Sequence, residues 1–277
     1  MRAATRRVQV KSSIAWPLVV DLLKFAALAA VLVALMARAT EDLGYHWQWY
    51  RIPRYLLTVS ERNWSTGPLL AGFGVTLQIT VVSLALALTF GLATALMRLS
   101  NAVLARFVAR LYLELIRNTP LLVQLFFIYF VLSPAFAISG FASAVLALSL
   151  FEGAYVSEII RAGILAIPRG QWEAAFGSGL DTWCTYHRVV LPQALRHILP
   201  PLTSQAISLI KDSALVSTIA IYDLTMQAQA IVSETYLVFE VWFTVAAIYL
   251  LVTLALSAAV TLMEKNRLIT STHQEAV

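Results

Sequence analysis

The chain has 277 residues, 60% of them apolar and 13% charged, with a formal net charge of +5 at pH 7 and a mean hydropathy of +0.77. Soluble domains carry about 25% charged residues, so an ordinary water-soluble fold is excluded. The single cysteine, Cys184, rules out a disulfide framework. The basic residues sit in short segments between apolar runs, which argues against a nucleic-acid-binding face and for a membrane topology.

Runs long enough to cross about 30 Å of hydrocarbon fall at residues 18–37, 69–97, 121–138, 141–160, 202–221 and 241–263. The predicted class is an all-α polytopic membrane protein. The first run reads as an uncleaved signal anchor. Its basic start and the Ala37-Arg38-Ala39 pattern also describe a cleavable secretory signal. Residues 40–68 then face outward, and Trp47, Trp49, Tyr50, Tyr55 and Trp64 suit the boundary between water and lipid. With the N-terminus inside, 14 of the 20 Lys and Arg residues are cytoplasmic, the asymmetry that sets orientation. The chain divides into residues 1–68 (first span and outward segment), a transmembrane domain 69–267 with a polar loop 161–200, and a cytoplasmic tail 268–277.

A nucleotide-binding P-loop needs Gly-Lys-Ser/Thr, and none of Lys11, Lys24, Lys211 and Lys265 follows a glycine. No His-Glu-x-x-His occurs, and Gly177-Ser178-Gly179 lacks the spacing of a serine nucleophile motif. No catalytic constellation, cofactor site or metal site is expected. ATP hydrolysis, if used, must come from another chain.

Within the polar loop, Pro168-Arg169-Gly170 breaks the chain and a helix is expected from Gln171, with Trp172, Ala175 and Phe176 forming an apolar face. Gly179 ends that helix at low steric cost. Asp181 is placed to cap a second helix carrying Trp183, Tyr186 and Val190. Leu191-Pro192 and Pro200-Pro201 are expected to stop it. Spacing alone leaves two readings, helices lying on the membrane surface or a hinged pair that touches a partner.

The stretch Glu173-Ala174-Ala175, then Gly179, then Leu191-Pro192 resembles the EAA loop of ABC importer permeases. Gly74-Val75-Thr76-Leu77, Glu114-Leu115-Ile116-Arg117-Asn118-Thr119-Pro120-Leu121-Leu122-Val123-Gln124, Tyr155-Val156-Ser157-Glu158 and Leu209-Ile210-Lys211-Asp212-Ser213-Ala214-Leu215 are similar to further motifs of its polar amino-acid branch. The resemblance covers roughly residues 72–267. It implies a five-span core, to which the first run is an extra N-terminal span. It also implies a second permease subunit, identical or homologous, two cytoplasmic ATPase subunits and a periplasmic or lipid-anchored amino-acid-binding protein. Glu173, Ala174, Ala175, Gly179, Leu191 and Pro192 are then the ATPase-coupling residues. Ser178 departs from the pattern, standing where an apolar residue is usual before the loop glycine.

Ionisable groups at bilayer depth cost about 2.5–3.5 kcal/mol each on insertion scales. Glu152, Lys211 and Asp212 fall near the middle of two spans. Lys211 and Asp212 are neighbours and cannot face each other on one helix. Glu152 is the expected partner of Lys211, either as a structural ion pair or as part of a translocation path. Glu158 and Arg161, three apart at the cytoplasmic exit, are expected to pair locally and complete the candidate path, and Glu114 with Arg117 repeats the arrangement. Phe126, Phe127, Tyr129 and Phe130 are expected on a lipid or helix-packing surface. The expected function is the permease half of an ATP-driven importer of polar amino acids. The rival is a secondary transporter or channel driven by an ion gradient, which discontinuous spans would favour.

Overall fold

The structure, a computed structural model, describes residues 45–60 and 63–274 and scattered positions between 20 and 38. It divides into two units, Met1–Gln48 and Trp49–Val277. In the first, the described positions between 20 and 38 are helical, and Lys24 reaches the exposed Asp21 carboxylate at 3.4 Å. Both ends of the expected first span, and Ala37 and Ala39 of its cleavage pattern, lie outside the described residues.

The second unit is helical, apart from a hairpin in which β1 (Leu57–Ser60) pairs antiparallel with β2 (Asn63–Thr66). Gly67 follows, and its amide donates to the Leu56 carbonyl at 2.8 Å. Pro68 then opens α1 (Pro68–Leu99) at the position where a missing amide costs nothing. At about 1.5 Å per residue, α1 is longer than the hydrocarbon is thick. It is followed by α2 (Val103–Arg117) and α3 (Leu121–Phe136), bent by 105° relative to α2. Pro120 cannot extend α2, and the bend is held by buried Gln124, whose side-chain amide donates to the carbonyls of Ile116 at 2.8 Å and Thr119 at 2.9 Å. Next come α4 (Gly140–Leu165), α5 (Arg169–Gly177), α6 (Thr182–Ile219), α7 (Leu224–Thr235) and α8 (Val238–Gln274). Among the described residues three helices are long and apolar enough to cross alone, and counting each of the bent pairs α2–α3 and α6–α7 as one span brings the candidates to five.

Between apolar helices in lipid no hydrophobic force drives association, so close packing of small residues must supply it. The α1–α4 crossing does this. Ser83, Ala87, Gly91 and Ala95 are buried on α1, opposite Ser149, Gly153 and Ser157 on α4. A β-carbon added at Gly91 would sit 2.3 Å from a Val156 methyl. Around this axis three apolar clusters stack. One at the hairpin end joins Ile52, Leu69, Leu224 and Val241. A middle one joins Ile79, Leu125, Leu148 and Leu209. One at the loop end joins Ala95, Val156, Ile160, Val190 and Ile198.

Two expectations about α6 are corrected. Leu191-Pro192 does not stop it, because the wide turn Tyr186–Val190 precedes Pro192 and leaves room for the proline ring. Pro200 and Pro201 lie inside the helix, where Thr203 Oγ1 donates to the Pro200 carbonyl at 2.7 Å. The helix ends later, in the 3-10 turn Ser213–Ile219 and Ala220 at φ 58°. Asp223 caps α7 by accepting from the Met226 amide at 2.8 Å, and α7 leaves at 49° to α6.

Candidate coupling loop and translocation path

The loop forms two helices joined by a tight reversal. α5 starts at Arg169, two residues before the expected Gln171. At its end the Leu180 amide donates to the Ala175 carbonyl at 3.1 Å and the Gly179 amide to that of Phe176 at 2.9 Å. These two bonds form a Schellman closure, which requires the φ of +80° that Gly179 adopts. Asp181 then caps α6, its carboxylate accepting from the Cys184 amide at 2.7 Å. That amide bond holds the Asp181 carboxyl below the usual carboxylate range. Trp172 and Tyr186 meet edge to face with centroids 5.0 Å apart, and Gln193 reaches Gln171 at 3.3 Å. The hairpin of helices is therefore braced across its opening. Ser178 directs its hydroxyl back to the Ala174 carbonyl at 2.8 Å, so the departure from the family pattern leaves no unpaired donor there.

Of the expected loop residues, Ala175 is buried, whereas Glu173, Ala174, Gly179, Leu191 and Pro192 are exposed. Two of the expected apolar residues face outward: Phe176 is 47% and Trp183 75% exposed. Tyr186, Leu191 and Leu195 are exposed as well, so the loop and the start of α6 present several large apolar side chains outward. Such a surface marks an interaction site rather than packing within the chain.

The mid-span charges are arranged differently from expectation. Glu152, 1% exposed on α4, accepts from Gln205 Nε2 of α6 at 2.5 Å, and its carboxyl also approaches that of half-buried Asp212. Lys211 is exposed and meets no acidic side chain within 4.0 Å among the described residues, so the expected Glu152–Lys211 pair is not formed. The side chains diverge because Lys211 and Asp212 are about 100° apart on one helix. Gln205 lies seven residues before Asp212, two turns along the same face, and that spacing was the signal for it. The second oxygen of Glu152 has no hydrogen-bond partner among the described residues.

Glu158 does pair with Arg161, at 2.9 Å, but the pair belongs to a larger cluster. Arg98 at the end of α1 bonds the same carboxylate, and Arg117 at the end of α2 lies 3.5 Å away. The expected Glu114–Arg117 pair is absent. Arg117 turns to Glu158, and Glu114 instead accepts from Asn118 at 2.8 Å. Beside the cluster, Glu158, Ala162, Gly163, His197 and Pro201 line an open cleft between α4 and α6.

A helical fold with up to five candidate spans among the described residues, and a braced, exposed loop between two of them, is that of a membrane-embedded subunit with a long solvent-facing loop. Residues 87–268 match the family described as binding-protein-dependent transport system inner membrane component. The chain is 41% identical over 207 residues to the glutamine transport system permease protein of Escherichia coli (strain K12), covering 73% of this chain and 94% of that one. It is 42% identical over 204 residues to the L-cystine transport system permease protein of Bacillus subtilis (strain 168), covering 72% and 86%. Among solved structures, an amino acid ABC transporter crystallised with histidines matches with a TM-score of 0.68 and 41% identity, covering 72% of this chain and 94% of that one. A methionine ABC transporter in an inward-facing conformation shares the fold, with a TM-score of 0.60 at 21% identity. The chain belongs to the binding-protein-dependent inner-membrane permease family. It is a transmembrane permease subunit of an ABC importer, of the polar amino-acid type.

Proposed function

We propose that Glu173, Ala174, Ala175, Gly179, Leu191 and Pro192 dock into a separate ATPase subunit on the cytoplasmic side. We propose further that the zone around Glu152, Gln205 and Asp212 receives the substrate in transit. Polar amino acids such as glutamine suit it, as the relative from Escherichia coli is named for glutamine. Two carboxyls at close range, one with an unpartnered oxygen, offer an ammonium group the charge it needs away from water. Glu158 and Arg161 stand at the exit of that path, and exposed Lys211 faces away from Glu152. A second permease subunit, an amino-acid-binding protein outside, cytoplasmic termini and surrounding membrane lipid complete the reading, with residues 69–267 as the working domain.

The large apolar side chains that the loop exposes, Phe176, Trp183 and Leu191, carry this proposal. The two bent spans also fit the rival, a transporter driven by an ion gradient. Uptake of labelled glutamine into vesicles holding the permease, its ATPase and its binding protein decides between them. Uptake should require ATP on the loop side and survive collapse of the proton gradient. Uptake by the permease alone, driven by an ion gradient, would refute the coupling role.

A further inference from the structure

α2 carries two faces and a basic border between them. Ala109 and Leu113 are buried, and Tyr112 donates its hydroxyl to the Leu150 carbonyl at 2.5 Å, so this face leans on α4. A second arc, Val103, Leu104, Phe107, Val108, Leu111 and Leu115, is between 46% and 74% exposed. Arg106 and Arg110, four residues apart, lie along the border between these faces, and neither meets an acidic side chain within 4.0 Å among the described residues. Because α2 stands at 105° to α3, a membrane-crossing α3 leaves α2 near the plane of the membrane surface.

We propose that α2 lies in the cytoplasmic-leaflet interface and binds acidic phospholipid headgroups through Arg106 and Arg110. A helix with an apolar arc bordered by arginines seats its apolar side among acyl chains and its cations at headgroup level. The cytoplasmic leaflet supplies the anions. The alternative cover is a second copy of the chain. Matching the same face on both copies would bring four unpaired arginines together, with Glu114 as the acid of that helix, already engaged by Asn118. Charge therefore favours lipid. At the helix end, Arg98, Arg117 and Arg161 share the single carboxylate of Glu158, which leaves further positive charge beside the same surface.

The inference rests on the inward placement of this end proposed above, and a separate measurement reports on that placement. Ala102→Cys in the Cys184→Ser background should react with a membrane-impermeant maleimide from the cytoplasmic side. Labelling from outside would overturn the placement. For the lipid, Phe107→Cys in the same background carries a fluorophore, and the permease–ATPase complex is set in nanodiscs with brominated phosphatidylglycerol or brominated phosphatidylcholine. Quenching should be at least two-fold stronger with the acidic lipid at equal mole fraction. The preference should vanish in the Arg106→Gln/Arg110→Gln variant and return in Arg106→Lys/Arg110→Lys. Equal quenching by the two lipids would overturn headgroup binding, and no quenching by either would show that protein covers the face.

Discussion

Glu152 of α4 and Gln205 of α6 are joined by a 2.5 Å hydrogen bond where the apolar interior holds its most buried path carboxylate. An amide does what an ammonium would have done, without adding a second full charge to a low-dielectric site.

A double-mutant cycle tests this pairing. Glu152→Gln with Gln205→Leu should show a coupling of about 0.5–3 kcal/mol, the range for residues in contact. Glu152→Gln with Lys211→Met should show a smaller coupling, because the two meet only through Asp212. Thermal unfolding of the purified complex reads both, and strong coupling to Lys211 would contradict the geometry described.

Gly179 tests the loop. Its φ of +80° costs a residue with a β-carbon roughly 1–2 kcal/mol, concentrated at the reversal. Gly179→Val should insert and fold in the membrane, yet lose most transport-coupled ATP hydrolysis. Normal uptake by this variant would remove the loop from the mechanism.

The Asp181 cap gives a pH dependence. Its folded carboxyl titrates below the ordinary range because the Cys184 amide bonds the ionised form. The stabilisation is therefore fully present above the unfolded value, about 3.9, and is lost as pH falls through the lower folded value. Hydrogen exchange at residues 182–190 should stay slow at neutral pH and accelerate, beyond its intrinsic pH dependence, only in strong acid. Asp181→Asn should keep the cap and remove that acid limb, whereas Asp181→Ala should fray the helix start at every pH.

Substitutions in the Glu158 cluster should rank by what each leaves unpaired. Glu158→Gln strands three arginines and should reduce folded yield most. Arg98→Gln should follow, because its side chain is 20% exposed, and Arg117→Gln should be mildest at 46%. Detergent-stable yield by size-exclusion chromatography checks the order. An Arg117 variant as damaging as Glu158→Gln would show that solvent does not screen this corner.

The five candidate spans among the described residues were legible because length and apolar composition act on whole segments and tolerate local error. Gly179 and Asp181 were legible for a different reason: each satisfies a backbone requirement that few residue types can meet. The 105° bend was not, since it depends on Gln124 reaching back to Ile116 and Thr119, and a glutamine in an apolar run does not announce its acceptors. The prolines of α6 misled because a wide turn absorbed the first and continuing helix the others. Glu152 was found by its cost, but its partner depended on how α4 and α6 cross, and sequence separation carries no record of that angle.

Because α6 runs unbroken from its Asp181 cap past Gln205, the exposed Trp183 and the Glu152 contact share one shaft. Pro200 and Pro201 fall between the two, and a rigid tilt of the shaft about that point moves its two ends unequally. Trp183 lies about 26 Å to one side of that point and Gln205 about 7 Å to the other, at 1.5 Å per residue. A swing of about 10° there would carry the outer tip ~4–5 Å and the inner end only ~1 Å, by the same helical geometry. With the loop docked on an ATPase as proposed, the shaft would work as a reduction gear: a broad stroke at the loop would arrive at Glu152 as a displacement of about an ångström, enough to break a hydrogen bond.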